Sequence, residues 1–226
     1  MRARNTEDRD RDEPRSISAR APVRCARFAR GQGMLMTTIG RTRAAAEIGL
    51  TIALAAVLQL VAVWQLPQGG SYALTMTPLI VLAVLRGPAI GVSAGALYGV
   101  VDFLIKPYPP LHPAQWVLDY PLAFALVGLA GLASRRWHRL SAEGYAGRAL
   151  WTALVPGVAV GALGRYVSHV VSGLVFFSSY AVEAGQAPLI YSLVYNSFVL
   201  VSAVACGMIA AVVLPQLRRL FAGRLS

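Results

Sequence analysis

Residues 188–214 read PLIYSLVYNSFVLVSAVACGMIAAVVL and contain no charged side chain. A bilayer hydrocarbon core of roughly 30 Å is crossed by about 20 helical residues, so this stretch alone is long enough to span it. Working back along the chain, comparable apolar runs cover 44–66, 89–106, 116–134 and 149–179, with a shorter one at 73–86. The segments between them carry turn or breaker residues: Pro67-Gln-Gly-Gly, Arg86-Gly-Pro, 107–113, 134–147 and 183–188. The whole chain is 56% hydrophobic and 14% charged, which agrees with membrane residence and not with a soluble core. The expected fold is all-α, an integral membrane bundle of six transmembrane helices. Two spans look irregular. The run at 73–86 is short, and the run at 149–179 is long and carries Pro156-Gly157, which is expected to kink it.

Charge sets the orientation. If the first span starts in the cytoplasm, the inner ends hold Arg41, Arg43, Arg86, Arg135, Arg136, Arg139, Arg148, Arg218, Arg219 and Arg224, and the outer ends hold Lys106 alone. Basic residues concentrate on the cytoplasmic side of membrane proteins, so both termini are expected inside (N-in/C-in) and the chain is expected in the cell membrane. Trp64 and Trp116 then fall at the outer interface, and Trp137 and Trp151 at the inner one, as an aromatic belt would place them.

Residues 1–43 hold 11 of the 21 basic and 5 of the 10 acidic side chains and show no apolar periodicity. This composition cannot bury enough surface to offset ordering entropy, so 1–43 is expected to be a disordered tail, with Met34 or Met36 as alternative starts, ahead of a membrane domain over 44–226. The tail has no apolar stretch of signal-peptide length, which makes the first span the targeting element. The net charge of +11 does not point to nucleic acid, because outside the tail the basic residues sit at span ends. Cys25 and Cys206 lie far apart and imply neither a disulfide nor a metal framework, and no cofactor is expected.

Most polar and aromatic groups inside the spans lie toward the outer half: Tyr72, Tyr108, Gln115, Asp119, Tyr120, Arg165, His169, Ser172, Tyr191, Tyr195 and Asn196. An ionisable group in a span is costly unless it faces a cavity or a partner, so Asp119, Arg165 and His169 suggest a shared pocket. Arg165 and His169 are four apart on one helical face, which Ser172 continues. The plainer readings are an Asp119–Arg165 pair joining two helices, a His169 hydrogen-bonded in the interior, tyrosines that only anchor the interface, and an Asn196 that bridges helices. Asp102 is expected to pair locally with Lys106. No nucleophile elbow, zinc motif or nucleotide-binding loop occurs, so no enzyme is expected. On the first span Ala45, Gly49 and Ala53 recur at intervals of four, a spacing that admits a closely packed helix.

The stretch Leu97-Tyr-Gly-Val-Val-Asp-Phe-Leu, followed by Tyr108, Gln115 and 118–131 (LDYPLAFALVGLAG), resembles the thiamine-specific substrate-binding (S) components of energy-coupling factor transporters. So do Arg165-Tyr-Val-Ser-His169-Val-Val-Ser-Gly173 with Tyr180, and Pro188-Leu-Ile-Tyr191-Ser-Leu-Val-Tyr195-Asn196. The resemblance implies a six-helix subunit that captures thiamine from outside and works with a transmembrane coupling protein and two cytoplasmic ATPase subunits. It implies ligand contacts from Asp119, Tyr120, His169, Tyr191 and Asn196, with Tyr108 and Phe177 lining the pocket. By the same similarity, Ala45, Gly49 and Ala53 form the docking face, and the loop around 69–75 is a lid.

Two positions depart from that family. Asp119 stands where Glu is usual and Phe177 where Trp is usual; the first draws the charge back by one methylene and the second weakens stacking. The chemistry of thiamine fits the residues independently, since its thiazolium is a permanent cation that aromatic faces and a carboxylate can hold, and its aminopyrimidine needs both donors and acceptors. Arg165 is out of place beside a cation and is expected to pair with a carboxylate or backbone carbonyls. The alternatives are an S component for another vitamin or a thiamine precursor or phosphate, and a structural or sensor membrane protein whose polar cluster only packs helices.

Overall fold

The computed structural model describes residues 23–62, 64–106 and 112–222, with side chains placed for 40–62, 64–106 and 112–218. The chain divides into two units, 1–41 and 42–226, and the apolar bundle belongs to the second. The tail expected over 1–43 lies outside the described residues as far as position 22, and α1 (Val23–Leu60) begins at Val23.

Among the described residues, five helices are long and apolar enough to cross a membrane: Gly40–Leu60, Pro88–Ile105, Pro113–Ala142, Ala146–Phe176 and Pro188–Arg218. A shorter one, α2 (Met76–Arg86), has 11 residues, as its short apolar run foretells. Gly87, at φ +91°, turns the chain straight into α3 (Pro88–Ile105), whose first residue is a proline at a position where the missing N–H costs nothing.

The last three long helices are interrupted, each for a local reason. Tyr120-Pro121 ends α4 (Pro113–Asp119) and starts α5 (Pro121–Val127), because the proline ring displaces the preceding turn. The break frees carbonyls that lipid cannot satisfy, and the Ser168 hydroxyl donates to Leu118 O at 2.6 Å. A 3₁₀ turn (Gly128–Ala133) leads into α6 (Ser134–Ala142). After α7 (Ala146–Ala149), a π-turn at Leu150–Leu154 precedes α8 (Val155–Phe176). The irregularity expected at Pro156-Gly157 therefore sits one turn earlier, where Pro156 crowds the carbonyl of Thr152 and the turn widens to relieve it. α8 also stops at Phe176, and α9 (Ser178–Glu183) is separate. The final stretch is divided into α10 (Pro188–Tyr195) and α11 (Phe198–Ala222), with Asn196 at the junction.

The closest packing runs along α3. Gly91, Gly95 and Gly99 form one small-residue stripe, and a Cβ on Gly95 would lie 2.1 Å from Phe124 O, one on Gly99 2.4 Å from Tyr120 O. Without side chains in the way, α3 approaches the α4–α5 segment backbone to backbone, the contact that small residues permit in membranes. This stripe fixes where Asp119 and Tyr120 stand relative to Asp102, three residues beyond Gly99. Tyr98 and Phe124 fill the adjacent core edge to face, ring centroids 4.6 Å apart. At the arginine-rich end Glu47 of α1 pairs with Arg86 of α2 and, at 3.1 Å, with Arg43. Trp137, expected at the inner interface, is 2% exposed and packs in the core with Leu140. Trp64 and Trp151 are exposed.

Between α1 and α2 the chain forms a small antiparallel ribbon, β1 (Trp64–Gln65) with β2 (Ser71–Tyr72), in the register Trp64↔Tyr72 and Gln65↔Ser71. Its tip turns through Gly69, at φ +90°. The ribbon is not legible as strands in the sequence, because two residues a side leave no alternation to detect.

Candidate functional site

A cavity of about 70 Å³ opens where the ribbon, α3, α4–α5, α8 and the α10–α11 junction meet. A carboxylate, a guanidinium and an imidazole converge on it. Asp119, at the end of α4, accepts from the Ser172 hydroxyl at 2.8 Å and from His169 Nδ1 at 3.1 Å. His169 Nε2 in turn accepts from Arg165 Nε at 3.3 Å. The arrangement is a chain from guanidinium to imidazole to carboxylate. It assigns the Nδ1–H tautomer to His169 and occupies both of its nitrogens, so neither is free to bond a ligand. The Arg165 guanidinium lies 4.0 Å over the Phe124 ring, a cation–π contact that helps hold the charge in a dry site.

The Asn196 amide Nδ2 is engaged by Ser192 O at 2.9 Å, Ser192 Oγ at 3.2 Å and His169 O at 3.3 Å, which ties the end of α10 to α8. Gly173 makes this possible, because a Cβ there would meet Ser192 Oγ at 2.2 Å. Tyr191 and Tyr195 stack at 6.1 Å with an interplanar angle of 13°, and Phe198 stands edge-on to Tyr195 at 6.2 Å. Phe177 stacks on Tyr180 at 6.0 Å. The pocket is thus aromatic on the α9–α11 side and anionic at Asp119.

The ribbon closes the opening. Gln68 N donates to Tyr195 Oη at 3.1 Å, Gln68 Nε2 donates to Tyr191 Oη at 2.9 Å, and that phenol donates back to Gln68 Oε1 at 3.2 Å. Gln59 Nε2 holds Ser71 Oγ at 3.1 Å from the α1 side. The two side-chain bonds between Gln68 and Tyr191 each contribute about 1 kcal/mol net. Gln68→Ala is therefore expected to raise amide exchange across 66–72 by about tenfold or more, read by hydrogen–deuterium exchange mass spectrometry. Unchanged exchange would mean that Gln68 does not latch the ribbon.

Of the residues singled out from sequence, Asp119, Tyr120, His169, Phe177, Tyr191 and Asn196 all line this cavity, as do Gln115, Arg165 and Tyr195. Tyr108 lies outside the described residues. Tyr72 packs edge-on to Phe198 at 6.2 Å. Two pairings differ from expectation. Asp102 is bound by the Tyr98 hydroxyl at 3.0 Å and not by Lys106, whose Nζ is buried with no hydrogen-bond partner among the described residues. Tyr98 is four residues back on the same buried face, whereas Lys106 caps the helix end. Arg165 makes no salt bridge with a carboxylate among the described residues; the imidazole stands between it and Asp119. Gln68, Gly173, Ser192 and Phe198 also line the cavity without standing out in the sequence, and so does Asp102, which sequence proximity assigns to Lys106. Ser192 and Gly173 carry a signal, since each sits within one turn of a residue already chosen. No cluster of His, Cys, Asp and Glu able to hold a metal ion occurs among the described residues.

Residues 45–222 match the family model described as Thiamine transporter protein (Thia_YuaJ). Thiamine transporter ThiT of Bacillus subtilis is 35% identical over 168 residues, 71% of this chain and 86% of that protein. Thiamine transporter ThiT of Lacticaseibacillus paracasei is 34% identical over 131 residues, 54% of this chain and 61% of that protein. The solved structure of ThiT from Listeria monocytogenes superposes with a TM-score of 0.73 at 28% identity, covering 80% of this chain and 98% of that one.

Proposed function

The chain belongs to the thiamine transporter protein family, and from that premise we propose that the cavity bounded by Asp119, Tyr191 and Asn196 is where it captures thiamine, as the substrate-binding membrane component of an energy-coupling factor importer. The observation that carries this reading is the Asp119 carboxylate, partly buried in a pocket that stacked Tyr191 and Tyr195 also line. A permanent organic cation is stabilised by both, through ionic attraction at low dielectric and through the ring quadrupoles. Tyr120, Tyr108 and Phe177 complete the aromatic lining in this proposal. Asn196, whose Nδ2 is held by the protein, offers its amide oxygen to the aminopyrimidine. His169 orients Asp119 and packs its ring face toward the ligand, and Arg165 is kept from the cation by that imidazole.

The cavity as it stands has room for only a few water molecules. Ligand entry accordingly requires the ribbon to lift, breaking the Gln68 bonds to Tyr191 and Tyr195, and ligand occupancy replaces them. The chain does no bond chemistry. Its family membership makes it a transporter, and the energy for uptake comes in this proposal from a coupling protein and two ATPase subunits at the arginine-rich face. In this proposal α2 serves as a short sixth span beside the five long ones, and the positive-inside bias supports both termini inside.

Titration of the purified protein with thiamine, thiamine monophosphate and the isolated hydroxymethyl-aminopyrimidine tests the substrate. Thiamine is expected to bind most tightly, and a stronger response to either of the others would reassign the site. Ala45, Gly49 and Ala53 are all exposed on α1, and a Cβ on Gly49 meets nothing within 4 Å. Gly49→Trp is therefore expected to leave thiamine affinity unchanged and to abolish uptake in vesicles reconstituted with the partner subunits. Full uptake by that variant would place docking elsewhere.

A further inference from the structure

A second concavity, which shares no lining residue with the ligand site, runs along the seam between α8 and α11. It is a groove of about 590 Å³ whose fourteen lining residues are all apolar, among them Leu150, Leu154, Ala159, Leu163, Val204 and Met208. On α8 the lining runs from Leu150 in the preceding π-turn to Leu163, about 20 Å at 1.5 Å per residue. One leaflet's acyl region is about 15 Å deep, half the hydrocarbon core, so the groove matches a lipid tail from one side and falls short of a docked membrane-spanning helix.

Helix register sets two arginines beyond one end of the groove. His169 O meets Asn196, and farther down Val158 Cγ1 would lie 3.3 Å from a Cβ on Gly207, so the two sides of the seam run antiparallel. Arg148 is ten residues before Val158 and Arg218 eleven after Gly207, which brings the two guanidinium-bearing positions to the same level at the groove's mouth. Both arginines are exposed, and neither forms a salt bridge among the described residues. Trp151 lines the same mouth and is 71% exposed, the position of an indole at headgroup depth. The Thr152 hydroxyl bonds Arg148 O at 2.7 Å and firms up the turn that carries Arg148.

We propose that the α8–α11 groove is a binding site for one anionic phospholipid, its tail along the apolar seam and its phosphate between Arg148 and Arg218. Two basic side chains add enough electrostatic attraction to favour an anionic headgroup over a zwitterionic one by about tenfold or more. The lining of this groove shares no residue with that of the thiamine pocket.

Native mass spectrometry of the detergent-purified chain, incubated with equal amounts of phosphatidylglycerol and phosphatidylcholine of identical acyl chains, reads this directly. One phosphatidylglycerol per chain is expected to be retained, at about tenfold preference. In R148Q/R218Q the preference is expected to fall to near parity, and in Ala159→Trp, which fills the tail groove from its lipid-facing side, both lipids are expected to be lost. Monodisperse elution and unchanged thiamine binding serve as the check on folding for each variant. Equal retention of the two lipids by the unmodified protein, or a preference that survives R148Q/R218Q, would overturn the proposal. So would a stable dimer of the chain dissociated by Ala159→Trp, which would make a second copy the occupant.

Discussion

Asp119→Asn is expected to weaken thiamine binding by about a hundredfold and leave the bundle folded. The substitution preserves shape, and an amide oxygen still accepts from Ser172 or His169. What it removes is the negative charge. Interactions with an ionised partner in a buried site contribute about 2–3 kcal/mol, and each 1.4 kcal/mol is a factor of ten. The loss is compounded by the neighbour that remains: with Asp119 neutral, the Arg165 guanidinium behind His169 is no longer offset on that side, and the site turns against a cation. Affinity measured in detergent should fall while the melting temperature moves little. An affinity within about threefold of the unmodified protein would show that the carboxylate does not hold the thiazolium.

Gly95→Ala is expected to cost the fold more than any other single methyl group. The added Cβ would sit 2.1 Å from Phe124 O, and backbone cannot swing away as a side chain does. Overpacking of this kind costs typically about 1–3 kcal/mol, which lowers the melting temperature by about 2–12 °C in a chain of this size. Because the same seam positions Asp119 and Tyr120 through the neighbouring Gly99 contact, ligand affinity is expected to drop with stability. Gly49→Ala is the control: nothing lies within 4 Å of its Cβ, and its stability is expected to stay within about 0.5 kcal/mol. Equal melting of the two variants would mean that α3 is not held by backbone contact.

The long spans are legible in the sequence because each is a long, predominantly apolar run, and the runs at 188–214 and 89–106 correspond closely to Pro188–Arg218 and Pro88–Ile105. The breaks inside them are harder to read. Pro156 announces an irregularity but not its displacement into the π-turn at Leu150–Leu154, and the junction at Asn196 carries neither Pro nor Gly. The site residues that stand out are those costly to bury. Asp119, Arg165 and His169 are conspicuous in lipid, and they do converge. Their wiring is not readable, because which of three groups stands in the middle depends on the angle between α4 and α8. Sequence proximity pairs Asp102 with Lys106, whereas Tyr98 lies at the same four-residue spacing on the buried side. Gln68 is invisible for a different reason: it acts across 123 residues, through phenols whose partner no local pattern reveals. The α3 glycine stripe is present in the sequence as Gly91, Gly95 and Gly99 at intervals of four, the same signature as on α1, and it is masked there because glycine is common throughout the chain.

The central claim is that this cavity binds thiamine, and isothermal titration calorimetry of the purified chain in detergent addresses it without a label or a partner subunit. A single saturable site per chain in the nanomolar to micromolar range, weakened in Asp119→Asn, is the predicted result. No saturable heat from a monodisperse, folded protein would contradict it.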